Sequence, residues 1–360
     1  MIEGLDKLLE GTGRPDLPGL YELVQEVLGG PDAKGTFLGR TDLKPQSKRV
    51  FRVRFVVDGH PKSLILKRLS PAVAGRIELA AKRWLPAVGM GELGPPLAGS
   101  VADPGGSCVW HLYDDLGPQG LDPTSASPIA VRAAVEHIAE IHARFARHPL
   151  LGEVRLHAGD LGMSYFRANV RDAVYALQVW PADSGHEALR QRLLQRLDAL
   201  AREVPRRERL VEEWGGPETL LHGDLWSQNV FILNGENGPR ARLIDWDHVA
   251  VGPFSYDLST FLLRFPVDRR QSILELYRTA VERHGWQLPG RADLNGLFET
   301  AEYARFVNRI IWPAIALVVD RADWAAEALA EVEQWFEEFK PVLPPSGPVP
   351  ADAPAGGVRT

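Results

Sequence analysis

The segment His222-Gly223-Asp224-Leu225-Trp226-Ser227-Gln228-Asn229 constrains this chain more than any other, because a hairpin pattern begins directly after it. Val230 to Leu233 is a short apolar run and Asn234 to Pro239 a polar turn; Arg240 to Ile244 then leads back to Asp245-Trp246-Asp247. Two such runs joined by a Gly- and Asn-containing turn predict a β-hairpin. In an antiparallel pair, the residue before the first strand lies beside the residue after the second. Asn229 and Asp245 are thus expected side by side although sixteen positions separate them. An amide oxygen and a carboxylate at one hairpin end suit a hard cation, and Mg²⁺ takes one or two protein oxygens and fills its other positions with water and phosphate. Asp224, on the loop entering the same hairpin, would then face the phosphate and accept or orient the proton of an attacking hydroxyl. His157-Ala158-Gly159-Asp160 has a similar opening, but Tyr165 sits five residues on and no hairpin succeeds it, so it is set aside.

The 360 residues suffice for two lobes, each with its own core. A formal net charge of −6 argues against nucleic acid as a partner, since phosphate neutralisation needs a clustered basic face. The richest basic stretch, Arg202 to Arg209, is broken by Glu203 and Glu208 and reads as a solvated helix face. The single cysteine, Cys108, can form neither an intrachain disulfide nor a thiolate cage and is expected in the core. The opening residues lack the apolar run of a signal peptide, and Ile310 to Val319 is too short to span a bilayer. The expected location is cytoplasmic, away from membranes.

Along the chain, a short amphipathic helix around Leu20 to Leu28 precedes strand signals that persist to Tyr113. Arg49 to Val57 and Lys62 to Leu69 flank Asp58-Gly59 as a hairpin. Ser70-Pro71 opens a helix, with a capping hydroxyl followed by proline, that runs to Leu85 and stops at Pro86. Short strands near 96–101 and 107–113 come next. Helical periodicity then covers 128–147, 162–179, 186–215, 267–285 and 297–339, and Pro341 to Thr360 reads as a disordered tail. The expected organisation is an α+β chain with an N-terminal lobe over 1–113, β-rich with one helix. A hinge at 114–116 joins it to a larger helical lobe over 117–340, with a tail over 341–360.

HGDLWSQN followed by LIDWDHVAVGPFSYDL resembles the aminoglycoside phosphotransferase and choline kinase family, relatives of the protein kinases. The resemblance spans about 30–340 and implies a two-lobed, protein-kinase-like fold and a small-molecule kinase using Mg²⁺ and ATP. It implies that Asp224 is the catalytic aspartate and that Asn229 and Asp245 are the magnesium ligands. His222 would brace the catalytic loop and Asp257 would hold it from the next helix.

Such a fold also needs a strand lysine for the α- and β-phosphates, paired with a helix glutamate. Lys67 in Leu64-Ile65-Leu66-Lys67 and Glu78, the only acid between Pro71 and Gly91, match in order and spacing. Backbone groups near Asp115 and Leu116 would meet adenine. The phosphate-covering loop is expected within 35–48, where Gly35 and Gly39 stand without a G-x-G-x-x-G pattern. Near Asp224 the loop lacks the basic residue of protein kinases, which disfavours a protein acceptor. The acceptor pocket is expected from Leu297 to Phe339, with Trp226, Glu302, Tyr303, Trp312, Asp320 and Trp324 offering acids and aromatics to a cationic amine or choline-like group. An antibiotic, an amino alcohol, a sugar and a nucleoside-like compound remain open as acceptors. Two other readings are a nucleotide-binding pseudokinase and a metal-dependent hydrolase using His222, Asp224 and Asp245.

Overall fold

The computed structural model describes residues 1–10, 17–44, 49–118, 120–183, 185–235 and 238–344. Six strands form one sheet: β1 (Ile2–Glu3), β2 (Gly35–Asp42), β3 (Val50–Val57), β4 (His60–Leu69), β5 (Leu97–Ala102) and β6 (Val109–Asp114). Their spatial order is β1-β2-β3-β4-β6-β5. β1 and β2 run parallel, and the other neighbours are antiparallel. The β3–β4 turn closes with Val57 opposite His60, and Asp58 and Gly59 take φ of 49° and 80°, as a two-residue type I′ hairpin requires.

Alternation sorts this sheet into two faces. Phe51, Val53, Phe55, Leu64 and Leu66 point to one side, where they form a core with Trp110, Leu112 and the apolar stripe of α1 (Pro18–Val27). Each such fully buried side chain is worth about 1.5–3 kcal/mol. The opposite parity turns Ser63 and Lys67 toward the second lobe. Both helices expected within the first 113 residues are present, and α1 covers the face of the sheet that α2 (Pro71–Leu79) leaves open. Ser70 stands at the start of α2 in extended conformation, but its side chain makes no capping bond. The helix ends at Ala87, one residue past the expected stop at Pro86. It passes through one π turn (Ala80–Trp84) into α3 (Leu85–Ala87), and that turn relaxes the backbone where a proline ring would press on the carbonyl four residues earlier.

The second lobe contains α4 (Pro128–Phe145), α5 (Leu151–Ala158), α6 (Met163–Val179) and α7 (Glu187–Trp214), then α8 (Ser255–Leu263), α9 (Val267–Glu282), α10 (Arg291–Val319) and α11 (Trp324–Glu338). The expected helix over 297–339 is two helices, broken at a turn where Arg321 has φ of 51°. α8, where the family resemblance puts Asp257, shows no amphipathic period of its own because Ser255 to Leu262 is buried on every side. Between α7 and α8, β7 (Thr219–Leu221) pairs with β10 (Ala250–Gly252), while β8 (Val230–Gly235) pairs with β9 (Gly238–Leu243). The stretches 222–229 and 244–249 are clamped between these two ribbons. No helix among the described residues is long and apolar enough to cross a membrane.

The lobes share a core: Ala74, Ile77 and Trp84 pack in the same cluster as Leu225, Val230 and Trp246. Residues 341–344, expected in the tail, pack on the second lobe. Val342 and Leu343 are buried, and Leu343 exchanges two hydrogen bonds with the Asn295 side chain, 2.9 and 3.0 Å. Residues 345–360 lie outside the described residues.

His111 and His137 are buried, and burial pushes both imidazoles down to about 4. Unfolded, each would bind a proton near pH 6.5. The unfolded chain thus holds more protons between about pH 6.5 and 4, and stability falls with falling pH across that window, by up to about 1.4 kcal/mol per pH unit for each histidine. Denaturant midpoints measured from pH 7 to 4 should show this decline, and His137→Leu should flatten it.

Candidate active site

The loop from His222 is fixed by one carboxylate. Asp257, in the first turn of α8 and fully buried, accepts the backbone N–H of His222 at 2.7 Å and of Gly223 at 2.9 Å. His142 approaches the same carboxylate at 3.4 Å and hydrogen-bonds Tyr277 at 2.8 Å on its other side. Burial alone would raise the Asp257 carboxyl, but the His142 and backbone hydrogen bonds outweigh it and hold the carboxyl below its usual range. The His222 ring bonds the Ile244 carbonyl through Nε2 at 2.8 Å and packs on Trp246, joining the loop to its return strand. Only glycine fits at 223: its φ is +82°, and a Cβ there would lie 1.9 Å from the His248 carbonyl oxygen.

One residue on, Asp224 faces a large cleft. Asn229 Nδ2 donates to the Asp224 carbonyl at 2.8 Å, which turns its Oδ1 the other way. The Ile244 amide donates to the Asn229 carbonyl at 2.9 Å, so Asn229 and Asp245 are adjacent at the end of β8–β9. Asp245 itself has φ of 64°, uncommon for a residue other than glycine, and this conformation accompanies a side chain aimed at the other lobe.

Lys67 comes across from β4 to meet it. Its ammonium contacts Asp245 Oδ1 and both oxygens of Asp247, the latter at 2.7 and 2.9 Å. Burial opposes the charge on Lys67, but the two carboxylates overcome it and raise its pKa. Burial likewise opposes ionisation of Asp245, yet Lys67, aided by Lys44 at 3.6 Å, keeps its carboxyl well below the usual range. Burial and the Asp245 charge push Asp247 up, and Lys67 only partly offsets them. The expected Lys67–Glu78 pair is corrected. Glu78 instead meets the His111 ring at 3.2 Å and Lys82 at 3.4 Å. His111 is the cross-strand partner of Lys67, so its ring shares that face of the sheet and takes the glutamate.

The donor set fits magnesium. Among the described residues, no group of three or more His, Cys, Asp and Glu side chains is gathered as a zinc or manganese cage needs. A carboxylate beside an amide oxygen is the kind of partial oxygen set that magnesium accepts. At the junction of the lobes, Asp115 accepts from Ser63 Oγ at 2.5 Å and from the Gly117 amide at 3.0 Å, and pairs with Arg52 at 2.7 Å. Its side chain thereby ties the connecting segment to the sheet, and the half-buried Leu116 comes next. Of the stretch expected to cover phosphate, Gly35 to Asp42 is strand β2 and residues 45–48 lie outside the described ones.

The cleft beside Asp224 encloses about 1600 Å³. Trp226, Glu302, Trp312 and Trp324 line it, but Tyr303 and Asp320 do not. Tyr303 turns inward, ringed by Phe306, Phe336 and Phe339 with Arg207 over its face, and Asp320 closes the exposed C-terminal end of α10. Glu302 is not available to a cationic ligand either. It is buried and bonded to Ser259 at 2.6 Å, Arg305 at 2.7 Å and Thr260 at 3.4 Å. One face of Trp226 is covered by Arg264, whose guanidinium carbon sits 3.4 Å from the ring centroid.

The sequence profile of the phosphotransferase enzyme family matches residues 43–297, more than half of the chain. The chain belongs to that family. No curated protein sequence matches it. Its fold is the kinase-like one of solved phosphotransferases, at identities too low to carry more than the fold. A spectinomycin phosphotransferase solved with ADP and spectinomycin aligns at TM-score 0.51 and 17% identity, covering 86% of this chain and 90% of its own. An aminoglycoside 2′-phosphotransferase in its GDP complex gives 0.53 and 16%, covering 89% and 98%. A choline kinase from Streptococcus pneumoniae gives 0.51 and 12%, covering 89% and 100%.

For this phosphotransferase, sequence reasoning does not foresee the pairing of Asp247 with Lys67 or the approach of Lys44, nor Arg264, Arg305 and Arg309 in the cleft. Asp247 is signalled by the second acid of Ile-Asp-Trp-Asp; the arginines carry no local sign. Gly223→Ala combines a disfavoured φ with a backbone clash, and Asp257→Ala orphans two buried amides. Each should cost at least about 3 kcal/mol in denaturant unfolding, or abolish soluble protein.

Proposed function

We propose that the chain is a kinase that transfers the γ-phosphoryl group of Mg·ATP to a hydroxyl of a small acceptor. The observation that carries this reading is a convergence at one end of β8–β9: Asp224 opens on the cleft beside Asn229 and Asp245, and Lys67 arrives from the other lobe. Asn229 Oδ1 and Asp245 would hold Mg²⁺, which supplies charge neutralisation for the nucleotide phosphates.

The chain's own residues do the rest. Asp257 and His222 hold the loop rigid, so the Asp224 carboxylate needs no reorganisation when an acceptor enters. Asp224 accepts or orients the hydroxyl proton as the new O–P bond forms. Lys67 offers positive charge to the phosphates from the cleft side of β4, and backbone groups at Asp115 and Leu116 meet the base. Solved relatives described as ADP and GDP complexes support a nucleotide donor, and spectinomycin in one of them supports a small acceptor. A nucleotide donor suits the cytoplasm.

The test is Mg²⁺-dependent ATP consumption against aminoglycosides, amino alcohols, sugars and nucleosides. Asp224→Ala should lower acceptor-stimulated turnover by about 10²–10⁴-fold and leave ATP affinity nearly unchanged, whereas Asp245→Ala should weaken Mg·ATP binding. Full activity in Asp224→Ala would overturn the mechanism. Tight Mg·ATP binding with no acceptor stimulation would favour a nucleotide-binding regulator.

A further inference from the structure

The charges that face the cleft are unevenly spoken for. Of its carboxylates, Glu302 is enclosed by Arg305, Ser259 and Thr260, and Asp160 is paired with Arg155 at 2.8 Å and accepts the Gly162 amide. Asp224 is reserved for the acceptor hydroxyl, which leaves Glu331 and Glu338, both exposed on α11. The cations are in a different position. Arg264 and Arg309 form no ion pair among the described residues, and Arg76, across the cleft on α2, has a buried Nε without a hydrogen-bond partner. Arg264, just past the end of α8, lies flat on Trp226, and the Asp224 charge reaches both Arg264 and Arg305. Arg305, Arg309 and Trp312 succeed one another at spacings of four and three on α10, so one helical face presents them together. Trp312, Trp324 and Trp335 add exposed aromatic surface to the same cleft, at 64%, 51% and 38%.

We infer that the acceptor carries an anionic group, a carboxylate or a phosphate monoester, bound by Arg264 and Arg309, with a planar or apolar body against the tryptophans. This rests on reading the cleft as the acceptor site. A polycationic acceptor would have to enter beside unpaired guanidinium groups, with the best-placed acid already taken and one face of Trp226 already covered by a cation. An anion gains charge-assisted hydrogen bonds from a planar donor fork. The flat body gains stacking and burial on the indoles.

The test uses matched probes that share a hydroxymethyl-phenyl body and differ in one substituent: 4-(hydroxymethyl)benzoate, the neutral 4-(hydroxymethyl)benzamide and the cationic 4-(hydroxymethyl)benzylamine. Binding to the Mg·ADP-loaded protein is read by tryptophan fluorescence, and turnover by ATP consumption. The benzoate should bind about 10-fold or more tightly than the amide, and the amine weakest. Arg264→Gln and Arg309→Gln, both at exposed positions, should each erase most of that preference, and Arg264→Lys should restore part of it. The corresponding phosphate monoester, run alongside, distinguishes the two anions by which binds more tightly. Preference for the amine, or an unchanged charge preference in both glutamine variants, would overturn the inference. Turnover of the amine that depends on Asp224 would keep the kinase while removing the anionic acceptor. Benzoate binding that needs Arg264, with no Asp224-dependent ATP consumption by any probe, would keep the anion site while removing the kinase.

Discussion

A single buried carboxylate sets the geometry on which everything else in the site depends. Taking Asp257 out of water costs several kcal/mol unless the charge is paired and hydrogen-bonded. The chain meets that cost with two backbone amides, His142, and a place in the first turn of a helix, where the helix dipole favours negative charge. Because the amides belong to His222 and Gly223, the same bonds that satisfy Asp257 fix the loop that presents Asp224. The tight pass of Gly223 against the His248 carbonyl has the same origin, since the loop is held between the β7–β10 ribbon and the start of α8.

A second ionic cluster joins the lobes. Lys67 on β4 reaches Asp245 and Asp247 beyond β9, while Asp115 ties the connecting segment to Arg52 and Ser63 of the sheet. Apolar packing supports the same joint, as Ile77 and Trp84 share a core with Leu225 and Trp246. The large cleft opens at Asp224, on the catalytic-loop side of this joint. Its wall on α8, α10 and α11 is rich in arginine and tryptophan.

Much of the fold is legible because period and turn chemistry are local. The Asp58-Gly59 hairpin, the β8–β9 hairpin and the long helices of the second lobe come from alternation, 3.6-residue spacing and turn residues. The juxtaposition of Asn229 and Asp245 is legible for the same reason, since hairpin geometry links positions sixteen apart. Where a residue finds its partner through packing, local reasoning fails. Order and spacing assign Glu78 to Lys67, but His111, from a neighbouring strand, intercepts it. Tyr303 and Asp320 lie on and at the end of α10, in a stretch whose helical period is legible, yet the rotation of α10 sends them away from the cleft and brings Arg305 and Arg309 to it. The buried Val342 and Leu343 lie in a segment whose composition suggests disorder, and their anchor, Asn295, is far away in sequence.

The sequence by itself determined the family, the two-lobed order of strands and helices, and the residues proposed for phosphoryl transfer, because these are written in contiguous motifs and short-range periodicity. Only the tertiary structure decided which acids are spent on internal partners and which cations face the cleft. The reason is that ion pairing and desolvation depend on distances of a few ångströms between elements. Those distances are set when α8 and α10 dock, and no local stretch of sequence contains them.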